Sequence, residues 1–133
     1  MKVIDENLII YGTSETPEVI MLLDGSFIIR GRCVPDDADF FFIPIIRFLE
    51  RHEQNNKPAF LTFHLDYYNT ASYKWLTRMF TILKQISKHN KVKITWEYLD
   101  IDEDLEEVGQ ELKEMFNLDM KLVEIKSKNK YNG

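Results

Sequence analysis

The chain has 133 residues, of which 44% are hydrophobic and 29% are charged, and its formal net charge is −5. This length and balance are typical of one soluble domain that is large enough to bury a core without disulfides. The acidic charge argues against nucleic acid as a partner, because phosphate binding needs clustered lysine and arginine.

The first part of the chain predicts three strands. Residues 8–11 and 19–23 are short apolar runs, and each has the length of a strand. An Asp-Gly pair at residues 24–25 is a turn signal, and residues 26–30 alternate well enough to pair back on the second run as a hairpin. Residues 31–37 break the pattern, so we expect the third strand to end before them.

A helix is predicted next, from a cap at Asp36 or Asp37 to about Gln54. Its apolar side chains share one face, and they are Phe41, Ile45, Phe48 and Leu49. Pro44 lies inside this segment and leaves two possibilities open. It either bends the helix or marks its true first turn, with residues 37–43 forming a separate short turn.

Residues 60–65 are the best candidate for a central strand, since they are an apolar run between turn signals. A helical pattern then extends over residues 73–88. Its apolar side chains recur at spacings of three and four, and they are Leu76, Met79, Phe80, Leu83 and Ile86.

The last third of the chain predicts two more strands around one helix. Residues 92–98 alternate strictly between apolar and polar, which is typical of a strand with one wet face. Residues 103–116 predict a helix whose acidic first turn suits the helix dipole, and residues 120–125 alternate again as a final strand. The apolar side chains that we expect to point inward from this helix are Leu105, Val108, Leu112 and Met115.

The predicted element order is therefore β-β-β-α-β-α-β-α-β. It indicates an α/β fold with a mixed sheet of five to six strands and three main helices. The α/β units after residue 56 give parallel neighbours through right-handed crossovers, and the first hairpin is antiparallel. We expect one domain over residues 1–125, followed by a polar tail over residues 126–133.

The junction between the central strand and the second helix carries the most informative residue, Thr70. The first backbone N–H groups of a helix have no internal partners, and the helix dipole places partial positive charge there. A phosphate on a hydroxyl at this place finds donors, so Thr70 is a candidate phosphorylation site. The alternative is that Asn69 or Thr70 only caps the helix.

Metal, disulfide and membrane sites are not predicted. Cys33 is the only cysteine, which excludes a disulfide framework and a thiolate cluster. The N-terminus has no signal-peptide core, and the longest apolar run is too short for a membrane span. We therefore expect a cytoplasmic protein without membrane insertion. Asp100, Asp102, Asp104 and Glu111 only weakly match a calcium loop, because Leu105 stands where that loop needs glycine.

Charge is unevenly distributed along the chain. Carboxylates are dense over residues 100–114, whereas residues 73–93 are rich in lysine and arginine. This asymmetry suits a protein partner with a patterned surface, and two solvated helix faces explain it equally well. No catalytic motif and no glycine-rich phosphate loop are present in the sequence, so neither an enzyme nor a bound cofactor is predicted.

Four blocks of sequence together resemble one known family. They are residues 16–19 with 25–32, residues 35–41 with Pro44, residues 68–74 (YNTASYK), and residues 96–104 (WEYLDIDED) with 107–109. Over residues 8–122 the chain is similar to the SiaC-type regulatory phosphoproteins of bacteria. The family usually has serine at the positions of Cys33 and Ala71, and neither change removes the proposed acceptor hydroxyl.

The resemblance implies a non-enzymatic switch with a fold similar to STAS domains and anti-sigma-factor antagonists. It implies phosphorylation of a threonine by a Ser/Thr kinase of the histidine-kinase-like ATPase class, and dephosphorylation by a metal-dependent phosphatase. The unmodified form then binds a diguanylate cyclase or another output protein, which connects the pathway to cyclic di-GMP and biofilm formation.

By position the phosphorylated residue is Thr70, and Asn69, Ser72 and Lys74 are expected to support the phosphosite or to contact the partner. Two other functions remain open: a STAS-like domain that binds a nucleotide or another small ligand, and a small enzyme that uses the carboxylates of residues 100–104.

Overall fold

The computed structural model describes residues 6–127. These residues form six strands and three helices in the predicted order. The elements are β1 (Leu8–Ile10), β2 (Glu18–Met21), β3 (Ser26–Cys33), α1 (Ala38–Gln54), β4 (Ala59–Tyr68), α2 (Thr70–Ser87), β5 (Val92–Leu99), α3 (Glu103–Phe116) and β6 (Met120–Ile125). No helix in the part of the chain that the structure describes is long and apolar enough to cross a membrane.

One mixed sheet contains all six strands, in the order β1-β2-β3-β4-β5-β6. The first two pairings are antiparallel and the other three are parallel. The antiparallel hairpin of β2 and β3 and the parallel neighbours after residue 56 are confirmed. Each helix connects two neighbouring parallel strands and the strand order never reverses. Right-handed crossovers therefore place α1, α2 and α3 on the same face of the sheet.

The core lies between this helical layer and the sheet. Every second residue of the inner strands points into it: Ala59, Leu61, Phe63 and Leu65 of β4, and Val92, Ile94, Trp96 and Tyr98 of β5, are buried. Trp96 is anchored to α3, because its Nε1 donates a hydrogen bond to the carbonyl oxygen of Leu105 at 2.9 Å. Gly109 makes room for this ring, since a Cβ there would lie 2.6 Å from Trp96 Cδ1.

The first helix is continuous through Pro44. Asp37 is its N-cap, and the Asp37 side chain accepts a hydrogen bond from the backbone N–H of Phe40 at 3.0 Å. A separate short turn over residues 37–43 is therefore wrong. Pro44 and Phe40, four residues earlier, are both exposed, so water can solvate the carbonyl that proline leaves without a helical donor.

Two strands are longer than the sequence predicts. β3 continues to Cys33 and β4 continues to Tyr68, beyond the predicted ends at residues 30 and 65. The two extensions pair with each other in parallel, with a register shift between Gly31 and Arg32. This pairing satisfies backbone N–H and C=O groups, and the hydrophobic pattern of the sequence does not reveal it. Gly31 adopts a φ of 125°, which suits glycine.

The second helix begins at Thr70, three residues before its predicted start, because the cap precedes the first apolar position. The inward position predicted for Met115 is wrong, since its side chain is 59% exposed. Phe116 takes the place against the core instead, with its ring 5.6 Å from that of Phe80.

Candidate functional site at the start of the second helix

The candidate site lies where β4 ends and α2 begins. Tyr68 is the last residue of the strand, Thr70 is the first residue of the helix, and only Asn69 separates them. Asn69 is the N-cap, and its Oδ1 accepts a hydrogen bond from the backbone N–H of Ser72 at 2.9 Å. The carboxyl edge of a parallel sheet is the usual position of functional groups in open α/β folds, and Thr70 lies at that edge.

The side chain of Thr70 is exposed. Its hydroxyl makes no hydrogen bond to any residue between Glu6 and Ser127. Being in the first turn of α2, the hydroxyl is close to the partial positive charge of the helix N-terminus. These properties are those that a hydroxyl needs to be reached by a kinase and to carry a phosphate.

Ser72 lies two residues after Thr70 and points the opposite way. It is fully buried, and within the described chain its hydroxyl lacks a hydrogen-bond partner of ordinary geometry. The group that it meets is the buried thiol of Cys33, a weak hydrogen-bond partner. Burial raises the pKa of Cys33 to about 11, and the Ser72 hydroxyl opposes that rise. Ser72 therefore anchors the start of α2 to β3 and has no surface for a partner.

Lys74 is exposed and lies four residues after Thr70, about one helical turn away on the same side of α2. It is positioned to interact with a group on Thr70. The first turn of α2 contains no acidic residue, so nothing on the helix itself opposes an anion there.

The third helix places carboxylates opposite Thr70. Two shallow hollows of about 370 and 340 Å³ meet at Thr70, and both are lined by Tyr68 and Asp104. The remaining acidic residues that line one or the other are Asp66, Asp102, Glu107 and Glu111. The acidic first turn of α3 therefore faces the candidate site across a gap.

The carboxylates of this gap contribute to the raised pKa values of two tyrosines. The pKa of Tyr68 is raised, first by burial and then by the nearby charges of Asp104 and Glu111. The pKa of Tyr73 is also raised, first by burial and then by Glu111. A phosphate on Thr70 thus has the helix N-terminus and Lys74 on one side and like charges on the other.

An exposed aromatic side chain borders the site. Tyr67 is 53% exposed, and the guanidinium of Arg32 lies over its ring at 5.1 Å from the ring centroid. Tyrosine and arginine are enriched in protein interfaces, so this edge of the molecule combines an accessible hydroxyl with side chains that suit a protein partner.

The acidic residues do not assemble into a metal site. Within the described residues, no group of three or more histidine, cysteine, aspartate or glutamate side chains could hold a metal ion. Asp100 instead accepts a hydrogen bond from the backbone N–H of Ser127 at 3.1 Å. Hydrogen bonds from Ser127 lower the pKa of Asp100. Within residues 6–127, the weak similarity to a calcium loop is not accompanied by a cluster of possible ligands.

The sequence predicts Thr70, Asn69, Ser72 and Lys74 as site residues, and it did not predict the carboxylates across the gap. The signal was available, because α2 and α3 both begin at the carboxyl edge of neighbouring parallel strands. Two such helix starts lie close together, so the acidic run that begins at residue 100 faces Thr70.

Comparison with known proteins identifies similar chains. The family model described as "SiaC family regulatory phosphoprotein" matches residues 10–125. Among curated proteins, none is significantly similar to this chain.

Solved structures of SiaC from Pseudomonas aeruginosa have the same fold. Apo-SiaC superposes with a TM-score of 0.79 at 21% identity, covering 90% of this chain and 99% of that one. SiaC in complex with the diguanylate cyclase SiaD, which it activates, superposes with a TM-score of 0.84 at 24% identity, covering 89% of this chain and 99% of that one.

Proposed function

Because the chain belongs to the SiaC family of regulatory phosphoproteins, we propose that it is a non-enzymatic switch controlled by reversible phosphorylation of Thr70. The observation that carries the proposal is the position of this hydroxyl. It is exposed at the first residue of α2 and has no hydrogen bond within residues 6–127.

In this proposal the charge of the phosphate controls whether the partner binds. Phosphorylation adds about −1.5 to −2 charges and three acceptor oxygens. Asp104, Glu107 and Glu111 line the hollow beside Thr70, so the dianion is repelled from the α3 side and projects outward. A partner surface that fits the neutral hydroxyl then has to desolvate a dianion, which costs several kcal/mol.

Three neighbours support this role. Asn69 holds the first turn of α2 in place through its hydrogen bond to the Ser72 backbone. Ser72 fixes the same turn to the core by its burial. Lys74 is exposed one turn further along and is the cation on α2 that we assign to the phosphate.

The output partner in this proposal is a diguanylate cyclase, and the unmodified form is the one that binds it. The support is the structural similarity to SiaC, which has been solved in complex with the cyclase SiaD that it activates. The proposal includes a Ser/Thr kinase of the histidine-kinase-like ATPase class and a metal-dependent phosphatase. It places the protein in the cytoplasm, in control of cyclic di-GMP and biofilm formation.

Phosphosite mapping tests the assignment. The protein is purified from its native host and analysed by mass spectrometry, and the proteins that purify with it are identified. We expect phosphate on Thr70, together with a kinase and a cyclase among the co-purified proteins. Thr81 is an internal control, because it is an exposed threonine of the same helix whose hydroxyl is bonded to the carbonyl of Thr77 at 2.9 Å.

The matched variant is Thr70→Ala, which should carry no phosphate while the Thr81→Ala variant remains phosphorylated at Thr70. Phosphate on Thr81 or on another residue of the Thr70→Ala protein at the level of the native protein would exclude Thr70 as the site.

A further inference from the structure

The second face of the sheet has no covering layer. All three helices lie on the other face, and in the part of the chain that the structure describes no element packs against this one. Parallel strands are normally buried on both faces, and four of the six strands here belong to the parallel part. An uncovered parallel sheet therefore predicts a partner.

The register of the sheet defines a row of apolar residues on this uncovered face. Ile9 is paired with Ile20, Ile20 with Ile28, and Ile28 with Thr62. Ile9 is 49% exposed, and Phe60, two residues before Thr62 on the same face of β4, is 42% exposed. Side chains of this kind on neighbouring strands form a continuous apolar strip.

On β5 this face carries charges of opposite sign at the two ends of the strand, whereas Arg30 of β3 lies at the level of Glu97 and Lys121 of β6 at the level of Thr95. Lys93 lies near the amino end of β5 and Glu97 lies four residues further along, both on the uncovered face. Glu97 also contacts His64, with Oε1 3.3 Å from Nδ1. Lys93 has no ion-pair partner among residues 6–127.

We propose that this face is the interface of a symmetric dimer formed by two copies of the chain. Thr95 lies in register with Thr62, and Lys93 and Glu97 each lie two residues from Thr95. We place a two-fold axis in the plane of the interface, perpendicular to the strands, at the level of Thr62 and Thr95. This axis places Lys93 of each copy over Glu97 of the partner subunit, so two such ion pairs form. The isoleucine row lies over its own symmetry mate.

Lys121 of β6 lies in register with Thr95, so the same axis places its two copies opposite each other as an unfavourable like-charge pair at the edge of the interface, whereas the contacts of His64 and Phe60 agree with the arrangement. His64 and Phe60 lie two residues on either side of Thr62, so the same axis brings the imidazole of one copy over the phenyl ring of the other. Two twisted sheets can pack face to face with their strands approximately aligned. An isologous interface needs a self-complementary surface, and this face provides both the apolar and the ionic part.

The size of the face sets the expected strength. Six strands spaced by about 4.8 Å, each contributing roughly five residues, give a footprint near 30 by 16 Å. Two such surfaces bury on the order of 1,000 Å², which is below the roughly 1,200–2,000 Å² of stable specific interfaces and typical of weak ones. The dimer is therefore concentration-dependent.

Thr70 belongs to the helical layer and its edge, so it stays accessible in the dimer, and the inference does not depend on the proposed function.

Sedimentation equilibrium of the purified protein over a range of concentrations tests the dimer. We expect a reversible monomer–dimer equilibrium. Lys93→Glu and Glu97→Lys each put like charges opposite one another, and each should weaken dimerisation at least tenfold. The double variant Lys93→Glu/Glu97→Lys restores both pairs and should return the dissociation constant to within about threefold of the native value.

Lys88→Glu is the matched control, because Lys88 is an exposed lysine at the end of α2 in the helical layer; it should leave the equilibrium unchanged. Circular dichroism confirms that each variant is folded. A protein that is monomeric at every concentration overturns the proposal, and so does a dimer that the two single variants do not weaken or that the double variant does not restore.

Discussion

Thr70 shows how the surroundings of one side chain decide what a modification does. The helix N-terminus attracts an anion, and the carboxylates of Asp104 and Glu111 repel it across a gap that both line with Thr70. Besides burial, the negative charges of Asp104 and Glu111 are among the causes that raise the pKa of Tyr68. A phosphate in this position is not sequestered by the domain, so it remains available to a partner and to a phosphatase.

Cys33 gives the protein a characteristic sensitivity to alkaline pH. Its pKa rises from 9.0 to about 11 on burial, so the folded state holds the thiol proton more tightly than the unfolded state. The resulting stabilisation is complete below pH 9 and is lost as the pH rises to 11. It amounts to at most about 3 kcal/mol, since one unit of pKa corresponds to about 1.4 kcal/mol.

Urea unfolding at several pH values measures this effect. The free energy of unfolding of the native protein should fall more steeply between pH 9 and 11 than that of Cys33→Ala. Tyr68, Tyr73 and Tyr98 also have raised pKa values, and they contribute equally to both proteins. Parallel pH profiles for the two proteins would show that the thiol is not protected.

At the scale of elements, the sequence predicts α3 and β6 with their observed bounds, and the hairpin of β2 and β3 with its turn. These elements have strong periodicity or an Asp-Gly turn, so local physics determines them. The predicted ends of β3 and β4 were wrong because Arg32 pairs with Tyr67 and Cys33 pairs with Tyr68 across the sheet, although Arg32 and the tyrosines are polar. Pairing between segments 35 residues apart leaves no local signal.

At Gly109 of α3 the helix lies close against Trp96 of the sheet, and this contact yields a stability prediction. Alanine there improves helix propensity by about 1 kcal/mol, but its Cβ would lie 2.6 Å from Trp96 Cδ1 and 2.8 Å from Nε1. Trp96 is buried and bonded to the Leu105 carbonyl oxygen, so the ring has little freedom to move. Gly109→Ala should therefore destabilise the protein, by about 1–2 kcal/mol.

A double-mutant cycle isolates the clash from other effects of alanine. Gly109→Ala should cost less in a Trp96→Phe background, where the smaller ring leaves room. Gln110→Ala, at the exposed neighbouring position, should change the free energy of unfolding by less than about 0.5 kcal/mol. If Gly109→Ala is stabilising, or if its cost is the same in both backgrounds, the contact with Trp96 is not what requires glycine.

At the scale of the molecule, the sequence was sufficient for the order of the elements, the mixed sheet and the placement of Thr70 at a strand-to-helix junction. It did not reveal that the acidic run after residue 100 faces Thr70, because that depends on which helices are neighbours. It also did not reveal that one face of the sheet is uncovered. That property belongs to the whole strand order, since a single reversal would have placed helices on both faces.

We expect the switch to work without a large conformational change. Thr70 is at the surface, and the fold is anchored by buried residues on both sides of it, Ser72 and Leu65. In the proposed switch, phosphorylation changes the charge and shape of the surface around Thr70 and leaves the core as it is.

The most direct test is the equilibrium affinity of this protein for the diguanylate cyclase proposed as its partner, measured by calorimetry with three forms: unmodified, fully phosphorylated at Thr70, and Thr70→Ala. We expect the unmodified and alanine forms to bind within about threefold of each other and the phosphorylated form to bind at least ~30-fold more weakly, a difference of about 2 kcal/mol. Equal affinities for the phosphorylated and unmodified forms would contradict the account, because the charge on Thr70 would then not control binding.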